Sequence, residues 1–587
     1  MHSIIADFKM VFPDEDIRPI SDYLTGIGRR RLLDVSSHFL GLQSKRDLNL
    51  PQLFKFIEDF FCAENVAIAQ QIFDRLKQVM EEEKTHITIL HPATMLQLFQ
   101  LGFTTLNDEN TQLNPEAELS IFKAIFALNT ELVSKEPLAK ESSKDANGEP
   151  KPAPWFFSQS FPYYDIAHQK VINSFICQTI KAVYFFEFLE ANDSTKILLK
   201  KFLDDHQCET WNDYLQKLLP SIHPALPINN KEGRQVIQIL NDEKFDANYE
   251  FLKRFLYGGT PIPETDFDFI TIRNQPFYET EMGSFTVTFS LFLTERIFKG
   301  QYYTFETIYN NLDVADRNAI NATFKIGDFR SFYCDYFSEQ HLLYELLKRT
   351  YKKKHHQVTG SKMAESMDGG IDYYLLKGNT LCLFESKDVR IDKQVKVSYD
   401  YTKYEPALID KFYYSIKGNK KKARAVLQLA NNINLALTNK LPLGKSYKPY
   451  KLKIYPILVV HDFQFTAIGL NKIMDHWFEQ ELNQIRSGDI DVNKVKPLTI
   501  IDIDSLIIYS QYVADEKVSL EEFIDGYRSS ITVEPSKYSS KEAYKRALWN
   551  EYASFAYYMS YRYKPNVKKL FREKGLSLFN ENEETIE

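Results

Sequence analysis

Cysteine is scarce in this chain: Cys62, Cys177, Cys208, Cys334 and Cys382 are spread over 587 residues with no C-x-x-C pair. That spacing excludes a disulfide framework and argues against a zinc site; it fits reduced thiols in a cytoplasmic protein. There is no apolar run of about eighteen residues, and the opening HSIIADFKMVFPDED is not a charged-then-apolar leader, so neither a membrane span nor a secretory signal is expected. G-x-x-x-x-G-K-[ST], H-E-x-x-H and G-x-S-x-G are all absent, which removes local support for a P-loop ATPase, a zincin or a serine hydrolase. Any nucleotide-driven translocation would therefore need a partner protein. No fixed-period repeat is visible.

What is present is material for packed cores, 44% apolar with 14% aromatic, in a chain long enough for two or more domains. Its charge is unevenly placed. Residues 348–453 carry 23 Lys and Arg against 9 Asp and Glu, a balance of +14; the whole chain is at −7, so the remainder is at −21. The basic block includes Lys352, Lys353, Lys354, Lys420, Lys421, Lys422 and Arg424. A concentrated positive surface suits a phosphodiester polymer, and these seven are the candidate nucleic-acid contacts. The acidic remainder suits protein contacts or regulation.

The most informative stretch is 369–387, GGIDYYLLKGNTLCLFESK. Residues 371–376 read as a β-branched and aromatic strand, Lys377-Gly378-Asn379 as a tight turn, and 380 to about 389 as a second strand. Leu381, Leu383, Glu385 and Lys387 then share one face, so an aliphatic face ends in an acid and a base. Charges in such a position cost several kcal/mol unless something uses them. Asp372 supplies a second carboxylate beside Glu385, and the pair makes an oxygen-rich site suited to Mg²⁺ or Mn²⁺.

Asp372 followed by Glu385-Ser386-Lys387 resembles the signature of the PD-(D/E)XK nuclease superfamily, and the Gly369-Gly370-Ile371-Asp372 lead-in is similar to that of Mrr-like restriction endonucleases. The resemblance implies a restriction-endonuclease-like α/β core at 330–512, with a mixed central sheet flanked by helices. It implies metal-dependent phosphodiester hydrolysis of DNA, with Asp372, Glu385 and the carbonyl of Ser386 as ligands. Lys387 would orient or deprotonate the attacking water, or stabilise the pentavalent phosphorane; the sequence leaves these roles open. The family also places an acid on a preceding helix. Ser338 reads as an N-cap, with Glu339 in the first turn and a Leu ridge through residue 348, so Glu339 is the preferred acid, with Glu345 the alternative. A following helix at 421–437 offers Gln428 as the family's polar residue. The Tyr that RecB-like members carry four positions later is absent, Asn432 standing there.

Residues 452–460 and 498–503 read as buried strands, and His461-Asp462 as a loop pair without chemistry at a strand end. His355-His356 reads as part of an exposed basic loop. The expected architecture is a multidomain α+β chain: a helical region at 1–133, a linker or mobile loop at 134–154, a helical region with a small β segment at 155–329, the nuclease-like core, and helices at 513–587. An aromatic-rich helix at 540–563 reads as core or interface. By analogy with bacterial proteins that join such a core to an unfamiliar helical region, a role in anti-phage defence or restriction is expected, with DNA as partner and an activating protein or a second copy as further partners. The alternative is a nuclease-like fold that binds nucleic acid or assembles with a partner without cutting.

Overall fold

The computed structural model of the protein describes residues 3–42, 47–104, 114–226, 233–258, 262, 266, 268–351, 355–418, 420–534, 536, 540, 544 and 547–575. It is a multidomain α+β chain whose N-terminal region is mainly helical. Two compact units form, each from three separate stretches: one from 1–137, 166–175 and 215–300, the other from 138–165, 176–214 and 301–587. The expected division at 329/330 is not a boundary of either unit. Among the described residues no helix is long and apolar enough to cross a membrane.

The first unit shows how local signals set its helices. Leu50–Phe60 starts at Asn49, whose side chain accepts from the Gln52 N–H while the Gln52 side chain accepts from the Asn49 N–H. Leu53, Phe56 and Ile57, at i, i+3 and i+4, then turn inward. The unit contains a parallel pair, β1 (Ser3–Ile5) with β2 (His86–Thr88), and a three-stranded antiparallel sheet of β3 (Val236–Gln238), β4 (Phe277–Glu281) and β5 (Ser284–Val287), with β5 central. The small β segment expected within 155–329 is this antiparallel sheet; its last strand stops at Val287, and Ser290–Glu295 is helical.

The second unit is built on a five-stranded mixed sheet of β6 (His356–Thr359), β7 (Tyr373–Lys377), β8 (Thr380–Lys387), β11 (Lys453–Val460) and β12 (Thr499–Asp502), in the order β12-β11-β8-β7-β6. The β6-β7-β8 pairings are antiparallel; β11 and β12 run parallel to β8. With a neighbour on each side and layers on both faces, β11 buries Ile454 to Val460 without interruption, as its continuous apolar run requires. Leu381 and Leu383 of β8 enter a core with Val426, Leu429 and Ile433 of the Ala425–Leu437 helix and Met474, Trp477 and Phe478 of the Leu470–Ser487 helix. Phe157 and Phe161 join the same core from far upstream.

Several local expectations are corrected by what the chain does elsewhere. His356 opens β6 and bonds the Leu443 carbonyl, so it is not in an exposed loop. The 134–154 stretch, in which the boundary between the two units falls at 137/138, carries a helix at Glu136–Glu141 and a turn where the Asp145 carboxylate accepts from Asn147 (2.8 Å) and Glu149 (3.1 Å). Short polar side chains replace apolar packing there, which composition does not reveal. The 421–437 helix begins only at Ala425, because Lys420–Ala423 (β10) pairs with Tyr414–Lys417 (β9) around a left-handed Gly418. The 540–563 helix is interrupted: Trp549–Tyr552 is a 3-10 turn, and Phe555–Arg562 is a separate helix capped by Ser554.

Candidate active site

Asp372 stands just before β7, in a loop held from three directions. Tyr374 Oη accepts from the Ile371 N–H (2.9 Å) and donates to Asn432 Oδ1 (2.7 Å), while Asn432 Nδ2 donates to the Gly369 carbonyl (3.1 Å). On the other side the Gly360 N–H donates to the Asp372 carbonyl at 2.6 Å, and a Cβ at Gly360 would lie 2.7 Å from the Ile371 oxygen. Only glycine lets that turn approach. Asn432 is therefore a buried clamp on the Asp372 loop, a role the sequence did not signal.

The antiparallel pairing of β7 with β8 brings Asp372 beside the end of β8, where its Oδ2 accepts from the Ser386 N–H at 2.5 Å. Lys387 Nζ bonds the Glu385 carboxylate and donates to the Ser386 carbonyl at 3.1 Å. Glu385 is fully buried, and its Oε2 has no hydrogen-bond partner. An unmade bond at a buried carboxyl oxygen costs about 1–3 kcal/mol, which makes this atom a candidate ligand position.

Glu339 reaches the same point from a π-helix, Phe332–Leu343, and shares a hydrogen bond with Asp372. Ser338 is not an N-cap. It is buried in mid-helix and donates to Asp388 Oδ2 at 2.8 Å, the helical run having begun upstream with Asp328 capping Phe329–Ser331. Runs of π-helix are rare and concentrate at functional sites. Because π bonding closes i to i+5, Asp335 and Glu339, four apart, lie on nearly one side, and Asp335 feels the charges of Lys387 and Asp372. Asp335 was not anticipated; in sequence it is one more acid. Glu345 instead pairs with Lys348 at 2.8 Å.

Burial, and then the negative charge of Asp372, pushes the carboxyls of Glu339 and Glu385 well above the usual carboxylate range. Asp372 is also raised by burial, with Lys387 and the Ser386 N–H acting against the rise. Burial alone would lower Lys387, but Glu385, Asp372 and Glu339 outweigh it and hold the ammonium charged.

Behind the site His461 Nε2 lies 2.8 Å from Ser386 Oγ, and burial lowers this imidazole to about 4. The pair read as chemically silent thus includes a neutral ring that fixes the Ser386 side chain. Asp388 accepts from Arg330 at 2.8 Å.

Gln428 is half-buried on the Ala425–Leu437 helix, and its side-chain amide makes no hydrogen bond among the described residues. Lys352, Lys353 and Lys354 lie outside the described residues. Lys420, Lys421 and Lys422 are exposed on β10. Alternation puts Lys420 and Lys422 on one face of the ribbon and Lys421 on the other, its Nζ 4.0 Å over the Tyr414 ring. Lys422 is near enough to Asp335 to favour its ionised form. Arg424 is half-buried, and its Nε has no acceptor.

Among the described residues no three His, Cys, Asp or Glu side chains already form a metal cage. The donor chemistry nonetheless fits a hard divalent cation: clustered carboxylates, with Asp372 raising both Glu339 and Glu385, one buried oxygen without a donor, and an adjacent carbonyl. Comparison of the chain with protein-family models, with curated proteins and with solved structures finds no match.

Proposed function

We propose that the protein is a metal-dependent nuclease of the PD-(D/E)XK type that hydrolyses phosphodiester bonds in DNA. The observation that carries the reading is the unpartnered, fully buried Glu385 Oε2 beside Asp372, Glu339 and Lys387. Asp372, Glu385, Glu339 and the Ser386 carbonyl would hold Mg²⁺ or Mn²⁺. Bound there, such an ion supplies positive charge to the scissile phosphate and acidity to an attacking water.

The chain's own groups have distinct tasks. Lys387, kept charged by its carboxylate neighbours, donates to a non-bridging phosphate oxygen and stabilises the charge that builds in the transition state. A general-base role would need the lowered pKa that these neighbours prevent. Glu339, held protonated by burial and by the charge of Asp372, donates a hydrogen bond to Asp372 and would give up that proton on binding the ion. Lys420 and Lys422 on the exposed ribbon contact the DNA backbone, with Arg424 nearer the body of the unit. The acidic remainder of the chain suits an activating protein partner or a second copy, in the setting of bacterial defence or restriction.

The second reading, a binding module that does not cut, draws on the absence of a preformed cage among the described residues. Incubating the protein with supercoiled plasmid and Mg²⁺ or Mn²⁺ separates the two. Metal-dependent cutting is expected, reduced at least about 100-fold in Asp372→Ala and Lys387→Ala with DNA binding retained. Binding without cutting under every condition, including added partner proteins, would favour the module; equal cutting in wild type and variants would remove the site.

A further inference from the structure

Arg390 lies three residues beyond Lys387 and rests on a pair of tyrosines. The Gln301–Asn310 helix turns Tyr302 inward, 2% exposed, and Tyr303 outward, 53% exposed. Their rings meet edge to face with centroids 5.3 Å apart. The Arg390 guanidinium carbon is 3.8 Å from the Tyr302 centroid and 4.7 Å from that of Tyr303. Tyr302 is itself oriented by the bond from its hydroxyl to Glu306, 2.6 Å.

Two arginines share Tyr302 but differ in what else they touch. Arg330, 5.3 Å from the ring, is neutralised by Asp388. Arg390 is exposed and makes no ion pair among the described residues. Its charge is thus held in place by ring stacking alone, with its hydrogen-bonding edge left for a ligand. A planar guanidinium fixed in this way suits a phosphate oxygen pair, and the solvent-exposed ring of Tyr303 beside it suits a nucleobase. Four residues of chain, 387–390, span at most about 14 Å, which keeps this pair within reach of the nucleotides next to the scissile phosphate.

A duplex would use only half of this arrangement, since it presents phosphates but keeps its bases stacked inward. We infer that Arg390, Tyr302 and Tyr303 form a nucleotide platform for an unpaired stretch of the substrate strand, making the preferred substrate a nucleic acid with single-stranded or frayed nucleotides. This rests on the nuclease reading above.

The test is binding of the full chain, in chelator, to fluorescent oligonucleotides of matched sequence: a single strand, a blunt duplex, and a duplex with a single-stranded flap. Single strand and flap should bind about tenfold more tightly than the blunt duplex, as expected for one stacked base with its phosphate. Tyr303→Ala and Arg390→Ala should erase that difference and leave blunt-duplex binding within about twofold, because most phosphate contacts remain. Tyr303→Phe keeps the ring and the preference; Arg390→Lys keeps the charge and loses most of it. In the cutting assay the flap substrate should show a raised KM in Tyr303→Ala with kcat retained. Wild type that cuts plasmid but binds single strand and duplex alike, or alanine variants that retain the preference, would overturn the platform and leave the nuclease intact. Wild type that neither binds nor cuts any of them would overturn both.

Discussion

The carboxylates at the end of β8 are held together against their own repulsion, and the cost has a sign that can be measured. Glu339 takes up protons in the folded state at a pH where an ordinary carboxyl in the unfolded chain has already lost them. Between those two limits the folded state binds more protons, so the metal-free protein loses stability as pH rises. Gln has the shape of a protonated Glu and still donates to Asp372. Glu339→Gln should therefore match wild type near pH 4.5 and exceed it by about 1–2 kcal/mol at pH 8, read from urea unfolding in chelator. With Mg²⁺ added, the variant should gain less than wild type, because a ligand has gone. A variant that is less stable than wild type at pH 8 would show that Glu339 is ionised and paired there. At this scale the sequence revealed Asp372, Glu385 and Lys387, because charges on an apolar strand are conspicuous. It hid Asn432, whose work is to bond a tyrosine hydroxyl and a carbonyl distant in sequence, and Asp335, which differs from a surface acid only by the helix it sits on.

Among the elements, the β9–β10 ribbon shows tertiary pairing overriding local preference. Lys-Lys-Lys-Ala before an amphipathic run reads as the first turn of a helix, yet the left-handed turn at Gly418 folds it back on Tyr414–Lys417. The same kind of override made Ser338 look like a cap, since a Ser ahead of a Glu and a leucine ridge is an N-terminal signal; the helical run in fact starts about ten residues earlier. Pairing changes what the lysines do. On a helix the three would fan around the axis, whereas on the ribbon Lys420 and Lys422 share a face, and Lys421 is engaged with Tyr414. Replacing Lys420 and Lys422 with Ala should flatten the salt dependence of DNA binding by about two units of slope in log Kd against log salt. Lys421→Ala should change the slope by less than one unit. Equal effects from all three, measured by fluorescence anisotropy across a salt series, would mean that the ribbon does not present one face to DNA.

At the scale of the whole molecule, four of the sheet's five strands were legible, but β6 and the company the sheet keeps were not. The unit holding the sheet also takes in 138–165 and 176–214, and no local pattern announces that these belong with a core beginning some 120 residues later. Phe157 and Phe161 stack on each other at 4.6 Å and meet Tyr404 edge-on at 5.5 and 5.4 Å, inside the same core as Leu381 and Leu383. Lys181 pairs with Asp504 at 2.8 Å and Asp165 with Lys396 at 3.4 Å, all four largely buried. From the far end, Asp525 bonds Lys453 (3.0 Å) and Tyr455 (2.9 Å), and Arg528 pairs with Asp475 at 2.6 Å. A fragment cut to 330–512 would lose the two phenylalanines, remove Lys181 from a buried Asp504, and expose the aromatic contacts of Tyr404. Removing one partner of a buried pair costs about 3–5 kcal/mol and deleting a core Phe costs a similar amount, which together exceed half the stability of a typical domain. The 330–512 fragment should accordingly show no cooperative melt by circular dichroism, whereas the full chain does. In the full chain Phe161→Ala alone should lower stability by about 3–5 kcal/mol while leaving metal-dependent cutting at low temperature unchanged, since it touches neither the site nor the ribbon. A cooperative melt of the isolated fragment, or a silent Phe161→Ala, would mean that the sheet and its helices stand without the upstream segments.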